Sequence, residues 1–170
     1  MKFRMICKAS FALMVTMILL TPGTGLMSAQ GQSAQSKAGK KDQKQVNKDA
    51  SKLAGKADEV ANELGRDIVF CILAAHTTGV GTAQELKDKF SALADVPFGQ
   101  FVAAVIMADR IDKPLDDILM KLKEGMSLGQ IAKELDVNMG ELHQGFGEFR
   151  SELARSMTNP PTKDCFKPTS

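Results

Sequence analysis

A chain of 170 residues with a formal net charge of +2, nine Phe, no Trp and no Tyr holds material for one domain and not for two. Apolar burial must then rest on Leu, Ile, Val, Ala, Met and Phe. The thinness of aromatics argues against a carbohydrate-stacking platform.

The N-terminus has a three-part layout. Lys2, Arg4 and Lys8 precede an apolar run from Phe11 to Leu20 interrupted only by Thr16, and Thr21-Pro22-Gly23-Thr24-Gly25 then breaks any helix. That order predicts a cleavable secretory signal peptide over residues 1–29, cut near Ser28 and Ala29 or after Gly25. The run is shorter than the roughly 18 apolar residues a membrane span needs, so no span is expected after cleavage. Cys7 precedes the run and is not placed to become a lipidated N-terminus. The expected address is therefore periplasmic or secreted.

Cleavage would remove three positive charges and leave an uneven remainder. Residues 30–66 carry eight Lys/Arg against five Asp/Glu, and residues 67–170 carry eleven against fifteen. A basic arm precedes an acidic body. Of three cysteines, Cys71 and Cys165 remain. An oxidising compartment favours their pairing, and closing so long a loop stabilises by about 2–4 kcal/mol. The setting of Cys71 within Ile68-Val69-Phe70-Cys71-Ile72-Leu73 suits a free buried thiol as well.

Residues 30–45 are rich in Gln, Ser, Ala, Gly and Lys, a composition that predicts a flexible lead-in. From Val46, apolar residues recur in steps of four and three (Val46, Ala50, Leu53, Ala57, Val60, Leu64), the seam of a helix. Lys44, Lys48, Lys52 and Lys56 recur every four residues on another side of it. They are the candidate anion-binding residues, although a solvated face accounts for such a stripe more simply. Asp67–Thr78 is apolar nearly all round and is expected in the middle of the fold. Thr77-Thr78-Gly79-Val80-Gly81 ends it.

Shorter helices follow, each with a start signal. Thr82-Ala83-Gln84-Glu85 is a capping box before Leu86, Phe90 and Leu93. Pro97 opens a helix carrying Phe98, Phe101, Val102, Val105 and Ile106. Pro114 opens another, with Leu115, Ile118, Leu119 and Leu122 inward and Gly125 as its stop. Ser127-Leu128-Gly129-Gln130 is a second capping box, ahead of Ile131, Ala132 and Leu135. Asn138 with Glu141 starts the last helix, which presents Leu142, Phe146, Phe149 and Leu153 before Asn159-Pro160-Pro161. No stretch alternates at period two, so no sheet is expected. Phe98-Gly99-Gln100-Phe101-Val102 and Leu128-Gly129-Gln130-Ile131-Ala132 are alike and thirty residues apart. They suggest stacked helical hairpins in which an early glycine lets the preceding helix pack closely.

Leu115 to Phe146 resembles a helix-turn-helix of the DNA-binding kind through Ser127 to Val137 and Leu142. Ala132, Val137 and Leu142 fit, while Asp136 stands where the turn usually has Gly. Asp can take the left-handed conformation at some cost. The would-be reading helix, Met139 to Glu148, carries two Glu and no Lys or Arg, whereas groove reading needs cations and bidentate donors. No sequence-specific DNA binding is expected. Gly125 to Ala132 also resembles a Gly-x-Ser-x-Gly-x-Ile-Ala element of uncharacterised exported bacterial helical proteins, a likeness over about forty residues that implies no activity.

Neither His76 nor His143 belongs to a ligand cluster or catalytic motif. His76 follows Cys71 by five residues, a spacing that puts the two on different helix faces. The paired carboxylates Asp116-Asp117 and Asp109/Asp112 suit helix-end electrostatics. No catalytic residue, cofactor or metal is expected.

The sequence thus predicts an all-α fold, a small bundle of short helices arranged as stacked hairpins and preceded by a basic helical or flexible arm. The layout is 1–29 signal peptide, 30–66 arm, 67–157 helical domain and 158–170 Pro-rich tail, with residues 67–170 able to fold alone. The expected role is a non-enzymatic interaction or structural module that meets a protein partner in the cell envelope. The alternative is a binder of anionic lipid, polysaccharide or nucleic acid through the Lys-rich arm.

Overall fold

Seven α-helices and one 3₁₀ turn make up the ordered path of the computed structural model, which describes residues 32–161 and 163–166. The segment read as a signal peptide, residues 1–29, lies outside them. In chain order the helices are α1 (Gln32–Leu64), α2 (Arg66–His76), α3 (Ala83–Ser91), α4 (Phe98–Ile111), α5 (Leu115–Lys123), α6 (Leu128–Glu134) and α7 (Met139–Thr158), followed by the turn Lys163–Phe166. Among the described residues there is no strand. The fold is all-α, as the periodicities require.

The expected helix starts are the observed ones, and their chemistry is in place. Thr82 and Ser127 each accept from the backbone N–H three residues on, while Glu85 and Gln130 reach back to the cap N–H. Asn138 accepts from the N–H groups of Gly140 and Glu141. These bonds satisfy donors that a helix end leaves unpaired. Gly65, at φ 93°, separates α1 from α2. Asp136 takes the left-handed conformation its turn demands, at φ 50°, and Asp112 does the same between α4 and α5.

Three expectations change. Gln32 to Gln45 is helical and not a flexible lead-in. Its Gln, Ala and Lys are adequate helix formers, and a helix nucleated by the packed seam propagates outward at low cost. The boundary at residue 66 separates nothing: Val46, Leu53, Ala57 and Val60 are essentially inaccessible to solvent, and α1 packs on α7, α4, α6 and α2. Arm and body share one core. The most enclosed element is α4, buried continuously from Phe101 to Ala108, whereas α2 is buried from Ile68 to Leu73 and then emerges. Helix α4 takes that place because α1, α7, α5 and α2 all pack against it.

Phe70, Phe101, Phe146 and Phe149 are the largest fully buried side chains. Each such ring contributes about 1.5–3 kcal/mol relative to an exposed one. Phe70 meets Phe98 edge-on at 5.5 Å and Phe98 meets Phe90 at 5.2 Å, which ties α2, α3 and α4 together. The Arg66 guanidinium lies over Phe90 and Phe98 and roofs that cluster.

The thirty-residue repeat has a structural counterpart, with a different partner from the one expected. The Gly99 N–H donates to Asp58 Oδ1 at 3.1 Å, and the Gly129 N–H donates to Asn47 Oδ1 at 2.8 Å. A Cβ on Gly99 would sit 2.4 Å from the Ala54 carbonyl oxygen, and one on Gly129 would sit 2.5 Å from that of Gln43. Both glycines thus admit α1, not the helix that precedes them. Asn47 and Asp58, like Gln43 and Ala54, are eleven residues apart, about three helical turns, so they share a face. Helices α4 and α6 dock by their N-terminal ends at equivalent places along α1.

Candidate functional site

Four places gather the polar and reactive side chains, and α1 contributes to three of them. The first is its lysine stripe. Lys44 and Lys48 are exposed, with no ion pair to any described residue. Lys52 lies 3.8 Å from Asp49 Oδ1 and Lys56 lies 2.9 Å from Glu59 Oε1. The four lysines therefore do not form one uniform strip: the two nearer the chain start are free cations, and the other two are partly neutralised. Lys40 and Lys41, also exposed, extend the free pair.

The second place lies between α1 and α7. Asp49 is only 7% exposed, and a buried carboxylate needs partners. His143 Nδ1 is 2.6 Å from Asp49 Oδ2, and the Gln45 side-chain amide donates to the same oxygen at 2.7 Å. Burial pushes the Asp49 carboxyl up. The hydrogen bonds from Gln45 and His143, with the charges of His143 and Lys52, outweigh that and hold it below its ordinary value near 3.8. The arrangement orients the His143 ring, which stays 59% exposed. No hydroxyl or thiol among the described residues hydrogen-bonds to the ring. The physical role on view is to fasten α7 to α1.

The third place is a cleft of about 410 Å³ between α1, α4 and α6, lined by Asn47, Ser51, Ala54, Gln100, Ala103 and Ser127 among others. Gly125-Met126-Ser127-Leu128-Gly129, which opens the Gly-x-Ser-x-Gly-x-Ile-Ala element, also has the letters of a nucleophile elbow. Its serine does not stand on a strand-to-helix turn as that motif requires. Ser127 is the cap of α6, its hydroxyl occupied by Gln130 N–H and by the Asn47 amide at 3.3 Å.

The fourth place surrounds the cysteines. Cys71 and Cys165 are joined as a disulfide with Cα atoms 5.6 Å apart, within the range such a bond requires. The bond ties the 3₁₀ turn onto α2, and Phe166 packs on the core edge beneath Lys87. Cys71 and His76 both line a cleft of about 230 Å³ with Glu152, Arg155 and Ser156. Their five-residue spacing therefore does not keep them apart. The His76 ring is tilted against that of Phe149, centroids 5.2 Å apart, and its Nε2 is buried without a hydrogen-bond partner.

The paired carboxylates have structural work. Asp109 accepts the Thr78 N–H at 2.7 Å, and Asp116 pairs with Lys89. The helix that would read DNA is a core element, with Leu142, Gly145, Phe146 and Phe149 inward and Glu141 and Glu148 outward. Among the described residues no three His, Cys, Asp or Glu side chains converge as a metal set, and no helix is long and apolar enough to cross a membrane. No protein-family model, curated protein or solved structure matches the chain, so the candidate site rests on this geometry.

Proposed function

We propose that this chain is an exported protein of the cell envelope that acts without catalysis, as an interaction or structural module. The observation that supports this most is the Cys71–Cys165 disulfide, since such bonds persist in oxidising compartments and are rare where glutathione keeps thiols reduced. The charged, apolar and small-residue order at the N-terminus agrees with it. Helix α1 supplies the contact surface. One side of it organises the core, and the opposite side, through Lys44, Lys48, Ser51, Gly55 and Glu59, faces solvent.

Fractionation of cells that make the chain at natural levels tests the reading. The expected result is protein in the envelope or medium, with Cys71 and Cys165 oxidised, that crosslinks to another envelope protein through the outward side of α1. Recovery from the cytoplasm with both thiols free would overturn it.

A second reading, binding to anionic surfaces, draws on the exposed and unpaired state of Lys44 and Lys48. It narrows the original four residues to these two with Lys40 and Lys41. It expects retention on a polyanion column to fall steeply with salt. Lys44→Gln with Lys48→Gln should abolish retention, and Lys52→Gln with Lys56→Gln should barely change it.

A further inference from the structure

The two ends of the Cys71–Cys165 bridge sit in opposite settings. Cys71 lies in the middle of α2, between the buried Phe70 and Ile72, and is 4% exposed. Cys165 lies on the 3₁₀ turn Lys163–Phe166 and is exposed. The cleft that Cys71 shares with His76 and Arg155 reaches its edge, but leaves too little of it bare for another sulfur to approach. A thiolate displaces one sulfur of a disulfide from the side opposite the other, so access decides which of the two is attacked. At Cys165 that side points away from α2 and into solvent, whereas at Cys71 it is closed by packed protein.

The bond can also open without the fold opening. The turn it holds packs chiefly on α2 and α3. Its contribution to the core is Phe166, half-buried with the Lys87 ammonium 5.3 Å above its ring. The largest fully buried side chains all belong to α1–α7, so the core stays whole when the turn is released. Disulfides with an exposed sulfur are the ones that exchange with surrounding thiols. A turn of four residues offers little further surface to hold a protein, so the fitting reactant is a low-molecular-weight thiol.

We infer that Cys165 is a reversible thiol-exchange site, entered by low-molecular-weight thiols of the glutathione class. The incoming thiolate forms an S–S bond with the Cys165 sulfur. The Cys71–Cys165 bond breaks, and the Cys71 sulfur leaves with the electron pair and takes a proton from water. The product carries one mixed disulfide at Cys165 and one buried thiol at Cys71. Attack by Cys71 on that mixed disulfide expels the small thiol and closes the bridge again. Burial thus reserves Cys71 for reclosure and shields it from a second adduct. The inference rests on the export reading, because it needs the bridge closed in the protein as it accumulates.

The test starts from protein purified as it accumulates in its own cells, with thiols counted after denaturation without reductant. Two free thiols at that stage would overturn both the export reading and the inference. Bridged protein is then held under native conditions with millimolar reduced glutathione, sampled at intervals, quenched with acid and mapped by mass. The first adduct should sit on Cys165, in at least about tenfold excess over Cys71, with helical circular dichroism unchanged. Adduct-bearing protein freed of glutathione by gel filtration should return to the bridged form. An adduct on Cys71, exchange only after denaturant is added, or helix lost in step with adduct formation would overturn the inference and leave the export reading standing. With oxidised glutathione, native Cys71→Ala should take its adduct at least about tenfold faster than Cys165→Ser, and equal rates would also overturn it. Should either variant lose helix, the mapping on the natural chain decides alone.

Discussion

Adding one methyl group at Gly99 should separate α4 from α1. The Cβ of Gly99→Ala would lie 2.4 Å from the Ala54 carbonyl oxygen and 2.7 Å from the Ala54 carbonyl carbon and Cα. All three are backbone atoms of a packed helix, so no rotamer change relieves the contact, and α4 must retreat by about 1 Å to regain ordinary separation. Overpacking of this kind costs about 1–3 kcal/mol. Retreat also stretches the Gly99 N–H bond to Asp58, and hydrogen bonds to a charged group contribute about 1.5–3 kcal/mol, less at a part-exposed site like this one. Against that, alanine is favoured over glycine in a helix by up to about 1 kcal/mol. The net expectation is a loss of about 2–3 kcal/mol, and a similar loss for Gly129→Ala, whose Cβ meets the Gln43 carbonyl oxygen at 2.5 Å. Gly147→Ala is the matched control, because its Cβ meets nothing within 4 Å, and it should gain up to about 1 kcal/mol. Urea unfolding followed by helical circular dichroism measures all three. If Gly99→Ala is as stable as the natural chain while Gly147→Ala behaves as expected, the docking of α4 on α1 is misjudged.

Other outcomes follow from the same geometry. The folded-state pKa of Asp49 is depressed, so its contribution is fully present above about 3.8 and is lost as pH falls through the folded value. Asp49→Asn should therefore be less stable than the natural chain at pH 7, with the gap closing on acidification towards pH 3; a constant gap would contradict the Asp49–His143 clamp. Breaking the bridge by Cys165→Ser should cost about 2–4 kcal/mol, and hydrogen exchange should quicken first in α3, which rests on α2 and on the 3₁₀ turn. Thiol counting on denatured, unreduced protein lacking residues 1–29 should find no free thiol, and two would rule the bridge out. Phe101→Ala, in the middle of α4, should cost about 3–5 kcal/mol by leaving a cavity, and a loss below 1 kcal/mol would mean that α4 is not enclosed.

Local signals carried the helices, because caps and prolines act within a few residues and need no tertiary partner. Thr82, Pro97, Pro114, Ser127 and Asn138 each mark a start where the sequence places one. Asp136 is legible in the same way, since a short polar side chain is one of few that tolerate φ 50°. The hierarchy of packing was not legible. The seam from Val46 to Leu64 is weakened by alanines, and lysines surround it, so composition suggests an arm. Its burial depends on Gly99 and Gly129, far along the chain, which make room for a close helix. The signal that could have exposed this is an eleven-residue echo within α1, Asn47…Ala50…Leu53 against Asp58…Ala61…Leu64. It matches the thirty-residue echo of its docking partners.

The Asp49–His143 contact was also out of reach from sequence. An acidic residue one position before Ala50 looks like an ordinary solvated charge until α7 covers it. The Cys71–Cys165 pairing needed compartment and count alone, and the structure supplies a compatible 5.6 Å Cα separation. The neighbourhood of Cys71 and His76 went the other way. Helical angle separates them on α2, yet α7 and the Pro160-Pro161 segment enclose both in one cleft. Angular arguments on a single helix do not see the walls that its neighbours add.

The central claim is that α1 is the spine of the fold, with one side building the core and the other left for contact. Expressing residues 66–170 without it is the most direct measurement. With the burial surface of Val46, Leu53, Ala57 and Val60 removed, α4, α6 and α7 lose their common support. The fragment should show reduced helicity and no cooperative urea transition, and should regain both when a peptide spanning residues 32–64 is added. A fragment that unfolds cooperatively by itself, with the midpoint of the whole chain, would contradict the account.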